Sequence, residues 1–155
     1  MEIRHDIDVA QPPEVVFDFL IDTRSFPIVD RALVSFEPGG LMHVGLHGTF
    51  VHRRGGMTAR STWEVAELVR PSRIRVAVRG SGYEMDEIAT LSAGGSGTIG
   101  SFFDAVRPTS LAGRVMVALS GGIMRRDLRQ RARLLKAALE EVTCGIEAGP
   151  DAPSP

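Results

Sequence analysis

Apolar and polar residues alternate from the start of the chain: Ile3, His5, Ile7 and Val9 share one face of an extended segment, and Glu2, Arg4, Asp6 and Asp8 share the other. A period of two with one wet face describes a half-buried strand. The period then lengthens. Pro12 and Pro13 suit a helix first turn, where a missing N–H leaves no bond unmade, and Glu14 and Asp18 complement its positive end. Val16, Phe19 and Leu20 follow at i, i+3 and i+4 as the buried stripe. Asp22-Thr23 offers a cap for a second, short helix that ends near Phe26-Pro27.

Strand-like runs come next, at roughly 30–37, 44–53, 57–67, 73–79, 83–91 and 97–105. Pro38-Gly39-Gly40, Arg54-Gly55-Gly56, Pro71-Ser72, Gly80-Ser81-Gly82 and Gly94-Gly95-Ser96-Gly97 separate them as turn formers. Connections this short favour antiparallel neighbours. Within Arg73–Arg79 the period predicts Ile74, Val76 and Val78 inside and the arginines outside.

A long helical pattern closes the chain, from about Ser110 to Val142, with Thr109 or Ser110 as its cap. Leu128, Ala132, Leu135, Leu139 and Val142 step by 4, 3, 4 and 3 and make one stripe, while Arg125, Arg126, Arg129, Arg131, Arg133 and Lys136 take other faces. The segment Val115–Met124 is apolar nearly all round and contains Gly121-Gly122, each costing ~1 kcal/mol in a helix interior. A helix this long spans about 50 Å, more than the width of a small domain, so a bend or break is expected at the glycine pair. Ala118, Ser120, Gly121 and Gly122 remove side-chain volume where the helix is expected to face the sheet. The stretch 145–155, rich in Gly, Ala and Pro, lacks apolar periodicity and is expected to be unordered, leaving one domain over 1–144.

The order strand, helices, strand meander, long helix predicts an α+β fold: a curved antiparallel sheet around one helix, with a hollow between them. Composition narrows the function classes. A chain of 155 residues suits a single domain, and its net charge of −1 removes the basic footprint of a general nucleic-acid binder. The lone Cys144 excludes an intrachain disulfide and metal sites built on several thiolates. The longest apolar stretch, Leu111–Met124, falls short of the ~20 residues of a membrane span, so a soluble cytoplasmic protein is the simplest expectation.

The opening strand, Pro12-Pro13-Glu14-Val15-Val16-Phe17-Asp18-Phe19-Leu20, Val44-Gly45, Trp63-Glu64-Val65 with Pro71 after it, Leu91…Gly97-Thr98, and Leu135-Lys136-Ala137-Ala138-Leu139-Glu140 together resemble the START-like, Bet v1-type (SRPBCC) superfamily. The nearest likeness is to its polyketide cyclase/dehydrase-like group. The resemblance covers about residues 1–142. It implies a helix-grip: a seven-stranded antiparallel sheet curled around the C-terminal helix, with an internal cavity. It implies no family-wide catalytic motif, and fold alone does not fix a mechanism.

Two functions compete. One is a binding module for a small hydrophobic molecule that is polyketide-, isoprenoid- or lipid-like, with no cofactor. The expected lining is Trp63, Phe50, Met85, Phe103, Leu119, Gly121, Gly122 and Met124. The other is a cyclase, aromatase or dehydratase, which needs an acid and a base in one pocket. Tyr83, Glu84, Asp86 and His52 are its candidates, with Glu84 and Asp86 on one strand face and Tyr83, Met85 and Glu87 on the other. A protein-interaction domain is a third class. No metal site is expected, although His43 and His47 could share a face. Asp104 and Arg107 either flank a cavity mouth or pair with each other on the surface. The arginines of the last helix suit a solvated face, with anionic lipid or an acyl carrier protein as a partner they would attract; a monomer or homodimer is expected.

Overall fold

The computed structural model describes residues 1–54, 56–95 and 97–147; the tail 148–155 and the side chains of Arg54 and of residues 142–147 lie outside the described part. The elements are β1 (Glu2–Val9), α1 (Pro13–Ile21), a 3₁₀ turn (Thr23–Ser25), α2 (Phe26–Val29), β2 (Leu33–Glu37), β3 (His47–Arg54), β4 (Met57–Val69), β5 (Arg73–Gly80), β6 (Tyr83–Gly94), β7 (Gly97–Pro108) and α3 (Leu111–Glu147). The strands form one seven-stranded sheet in the order β1-β7-β6-β5-β4-β3-β2, and every pairing is antiparallel. β2 to β7 are a meander of neighbours, and β1 completes the sheet beside β7.

The predicted periodicities hold where burial decides them. Ile3 and Val9 are buried on β1, Trp63 and Val65 on β4, and Ile74 and Val78 on β5. On α3 the stripe Leu128, Ala132, Leu135 and Leu139 is buried. At ~1.5–3 kcal/mol for each large apolar side chain, that stripe anchors the helix. Ser110 caps α3: its Oγ accepts the Gly113 N–H at 3.0 Å.

Three expectations are corrected. Asp22 does cap a turn, accepting the Arg24 N–H at 3.0 Å, but the chain does not stop at Phe26-Pro27. α2 begins there, because Pro27 fits a helix first turn. α3 is continuous through Gly121-Gly122, with no break at the pair. A Cβ added at Gly122 would meet nothing within 4 Å, so this glycine serves no close packing. α3 also takes in Gly145, Ile146 and Glu147 of the segment expected to be unordered.

Two apolar clusters form the core. One joins Phe50, Trp63, Val65, Val78, Met85 and Val106 with Val117 of α3, and the other joins Val9, Val16, Phe17, Ile74, Leu91, Leu135 and Leu139. Ile21, Leu68 and Val76 pack against both clusters.

Candidate functional site

The α3 stripe is interrupted by charge. Arg131 stands three residues after Leu128 and four before Leu135, so it points into the same space as the apolar side chains. Its guanidinium pairs with Asp30, which follows α2, and Nη1 lies 3.8 Å from Glu87 Oε1 on β6. His52 of β3 places Nε2 2.8 Å from Asp30 Oδ2. That contact puts the hydrogen on Nε2, so the 3.4 Å approach of Arg131 Nη2 to the same nitrogen brings two donors together and is not a hydrogen bond. Asp104 of β7 completes the group. It is the direct cross-strand partner of Glu87, a register carried along the β6–β7 hairpin from its last pair, Gly94 and Gly97.

Burial and charge set the two aspartates apart. Burial alone would raise the Asp30 carboxyl, but the His52 hydrogen bond and the Arg131 charge outweigh it and hold Asp30 well below the usual carboxylate range. Burial raises the Asp104 carboxyl and the Glu87 charge raises it further, against Arg131, to about 7. Asp104 makes no hydrogen bond or ion pair with any described residue. Near neutral pH the site therefore holds one firmly ionised aspartate and one poised to take or give a proton.

Three partly open chambers share Glu87 and Arg131 in their walls. The largest, about 150 Å³, lies under the C-terminal half of α3 between Leu128, Ala132 and Leu135 and the sheet residues Ile74, Val76 and Phe102, with Asp104 at its polar end. A second, about 60 Å³, is bounded by Phe50, His52, Tyr83, Met85 and Met124. A third, about 130 Å³, is walled by Phe26, Leu33, Phe36 and Phe50. Arg131 and Glu87 thus border all three chambers.

Of the residues expected to line a cavity, Phe50, Met85 and Met124 do so, and Tyr83 and His52 border the same chambers. Tyr83 Oη lies 3.1 Å from Ser61 Oγ. Others are corrected. Trp63 is buried in solid core: it stacks on Phe36 with centroids 4.5 Å apart, and its Nε1–H donates to the Glu37 carbonyl at 3.2 Å. Phe103 takes the opposite face of β7 from Phe102 and Asp104 because adjacent strand residues alternate. Leu119 is 79% exposed. Gly121 faces Met1, whose Sδ is 3.0 Å from where a Cβ would stand, and Gly122 faces open space.

The carboxylates Glu84 and Asp86 lie on the face of β6 away from the core. Asp86 is clamped by Arg75 and Arg107, at 2.9 and 2.7 Å, and Glu84 pairs with Arg79 at 3.5 Å. Burial pushes the Asp86 carboxyl up, but the two arginine hydrogen bonds outweigh it and hold Asp86 below its ordinary value. It has no access to the interior, so neither residue can serve chemistry there. The expected Asp104–Arg107 choice resolves the same way: Arg107 turns outward to Asp86, and Asp104 turns inward. Among the described residues, no three His, Cys, Asp or Glu side chains converge on a common metal position. His43 and His47 each approach a local backbone carbonyl instead.

Sequence reasoning missed Asp30 and Arg131 as site residues; it placed Glu87 on the Tyr83 face of its strand and weighed Asp104 for a cavity mouth, but named neither as a site residue. Two signals were available. An arginine between stripe residues Leu128 and Leu135 cannot avoid the buried face, and a tight hairpin at Gly94-Gly97 sets Glu87 opposite Asp104.

The architecture can be compared with solved structures. TTHA0849 from Thermus thermophilus superposes with a TM-score of 0.73 at 16% identity, covering 92% of this chain and 99% of that one. CV1439 from Chromobacterium violaceum gives 0.70 at 19% identity, over 90% and 96%. Ara h 8.0201 gives 0.69 at 10% identity, over 91% and 98%. The fold is the Bet v1-like helix-grip. At these identities the likeness concerns the fold alone. Comparison with protein-family models and with curated proteins finds no match. In this helix-grip the sheet grips α3 from Val117 to Leu139, and the chambers lie in the grip. No helix among the described residues is long and apolar enough to cross a membrane.

Proposed function

We propose that the protein binds a small hydrophobic molecule between α3 and the sheet, with the ligand's apolar body in the chamber under Leu128, Ala132 and Leu135 and its polar end toward Glu87, Asp104 and Arg131. The observation that carries this reading is the chamber itself: apolar walls with a few polar groups at one end, which is how small-molecule sites are built. Its volume of about 150 Å³ matches a cavity that takes one aromatic ring. A polyketide-, isoprenoid- or fatty-acyl-like ligand of greater length would run on past Glu87 into the aromatic chambers, displacing Arg131 from its path. Native mass spectrometry of protein purified from its own host tests this reading. A retained apolar adduct that is released on unfolding supports it, and consistently ligand-free protein that also takes up no added apolar probe contradicts it.

A second reading rests on one further observation, the carboxyl of Asp104 at about 7 opposite the Glu87 carboxylate. Such a pair can give and accept protons at neutral pH, as a polyketide cyclase or dehydratase requires. Under this reading the acid–base work falls to Asp104 and Glu87, with Tyr83 bordering the adjoining chamber. Asp104→Asn should then slow an identified reaction by ~10²–10⁴-fold. For an acyl carrier protein, the docking face would be the outer arginines Arg125, Arg126, Arg129 and Arg133, whose charge suits an acidic partner.

A further inference from the structure

We infer that the outer face of α3 is a docking surface for an anionic lipid membrane, its first half entering the headgroup layer and its second half meeting lipid phosphates. The inference goes beyond the cavity reading and does not depend on it. The inner face of α3 is taken by the sheet, against which Val117, Leu128, Ala132, Leu135 and Leu139 are buried. On the outer face Leu111, Val115, Leu119 and Ile123 recur at every fourth residue and form a ridge about 18 Å long. Leu111 and Leu119 are 78% and 79% exposed. Apolar side chains scattered singly over a surface need no partner, but four in line along one helix make a contiguous patch, and such patches mark interaction sites.

The ridge runs on into positive charge. Eighteen residues make about five helical turns, so Arg129 and Arg133 stand in line with Leu111 and Val115. Arg125 and Arg126 join them around one open groove that no carboxylate lines. None of the four makes an ion pair among the described residues. Asp127, the one acid between Leu111 and Lys136, is turned inward to the chamber it shares with Arg131. The chain as a whole carries a net charge of −1, so this basic face is a local concentration of charge. An anionic membrane covers both halves at once: apolar side chains enter the boundary between headgroups and acyl chains, and arginines beside them are drawn to the negative surface. An acidic protein would meet the arginines and leave the ridge in water. A second copy packed ridge on ridge would leave the arginines unmatched.

The test is co-sedimentation of the full chain with vesicles of phosphatidylcholine alone and of phosphatidylcholine with about one-third phosphatidylserine. Binding to the anionic vesicles is expected to be about tenfold tighter or more, and to weaken as salt rises. Each arginine near such a surface contributes about fivefold, so Arg125→Gln with Arg129→Gln should weaken binding about twentyfold. Leu119→Ser with Ile123→Ser should weaken it about tenfold, the loss of apolar area from the bilayer. All four positions are exposed, so these changes leave the core untouched. Trp63 is the chain's only tryptophan and is buried, so Leu119→Trp adds a reporter on the ridge, and its emission should shift to the blue on the anionic vesicles. No binding to the anionic vesicles overturns the inference, and so does equal binding to both kinds. Binding without a blue shift also overturns it, because the ridge then stays in water. Self-association that Leu119→Ser abolishes, with no vesicle binding, assigns the face to a second copy instead. Capture of an acyl carrier protein with no vesicle binding assigns the arginines to that partner. Ethylbenzene uptake under α3 is a separate measurement, so the cavity reading survives any of these failures.

Discussion

Replacing Asp104 with Asn should stabilise the protein, and more so as the pH rises. In the folded state the Asp104 carboxyl is displaced from its ordinary 3.8 to about 7, first by burial and then by Glu87, with Arg131 opposing. A carboxyl raised on folding is more easily ionised in the unfolded chain. Its effect on stability is therefore absent below the unfolded value and grows as pH climbs from about 4 toward 7. It is constant above the folded value, where both states are ionised. Each unit of pKa corresponds to ~1.4 kcal/mol, so wild type forgoes a few kcal/mol at pH 8, on the order of 4 at most, and less than half of that at pH 5. Asn keeps the shape and cannot ionise. Urea unfolding of wild type and Asp104→Asn at pH 5 and pH 8 reads the difference directly. The variant should gain about 2–3 kcal/mol more at pH 8 than at pH 5. Parallel stability curves for the two proteins across that range would refute the placement of Asp104 against Glu87 in a partly desolvated site.

Asp86→Asn should behave in the opposite sense: its carboxyl is lowered by Arg75 and Arg107, so the variant should lose ~1–3 kcal/mol at pH 7 and lose progressively less as pH falls below about 4, with ligand uptake unchanged. Gly122→Ala should raise stability by ~0.5–1 kcal/mol in thermal unfolding, because the added methyl meets nothing within 4 Å and the helix gains a better former. Ala132→Phe should fill the chamber under α3, abolishing uptake of ethylbenzene while changing stability by no more than the ~1–3 kcal/mol of moderate overpacking.

Period and punctuation carried most of the fold. Burial of Trp63, Val65, Ile74 and Val78 followed from strand alternation, and burial of Leu128, Ala132, Leu135 and Leu139 from helical spacing. Those patterns are local, and they survive because each decides which face meets the core. The site was less legible because it depends on pairings far apart in sequence. Asp30 meets Arg131 only after the sheet has curled, and charged residues are read by default as solvated. The 83–86 segment misled for the same reason. Its carboxylates are clustered in sequence, but period two sends Glu84 and Asp86 outward to arginines and leaves the single acid Glu87 inside. Gly121 and Gly122 misled differently: small residues on a helix read as room for a ligand, whereas one faces Met1 and the other faces open space. Irregularities such as the register shifts in β2–β3 and β4–β5 leave no periodic trace at all.

The central claim is that an apolar ligand enters the space under α3, and methyl-resolved NMR of the protein with ethylbenzene tests it most directly. The account predicts intermolecular NOEs from the aromatic protons to methyl groups of Ile74, Val76, Ala132 and Leu135. NOEs confined instead to the exposed apolar ridge of Leu111, Val115, Leu119 and Ile123 would contradict it and locate recognition on the outside of the helix.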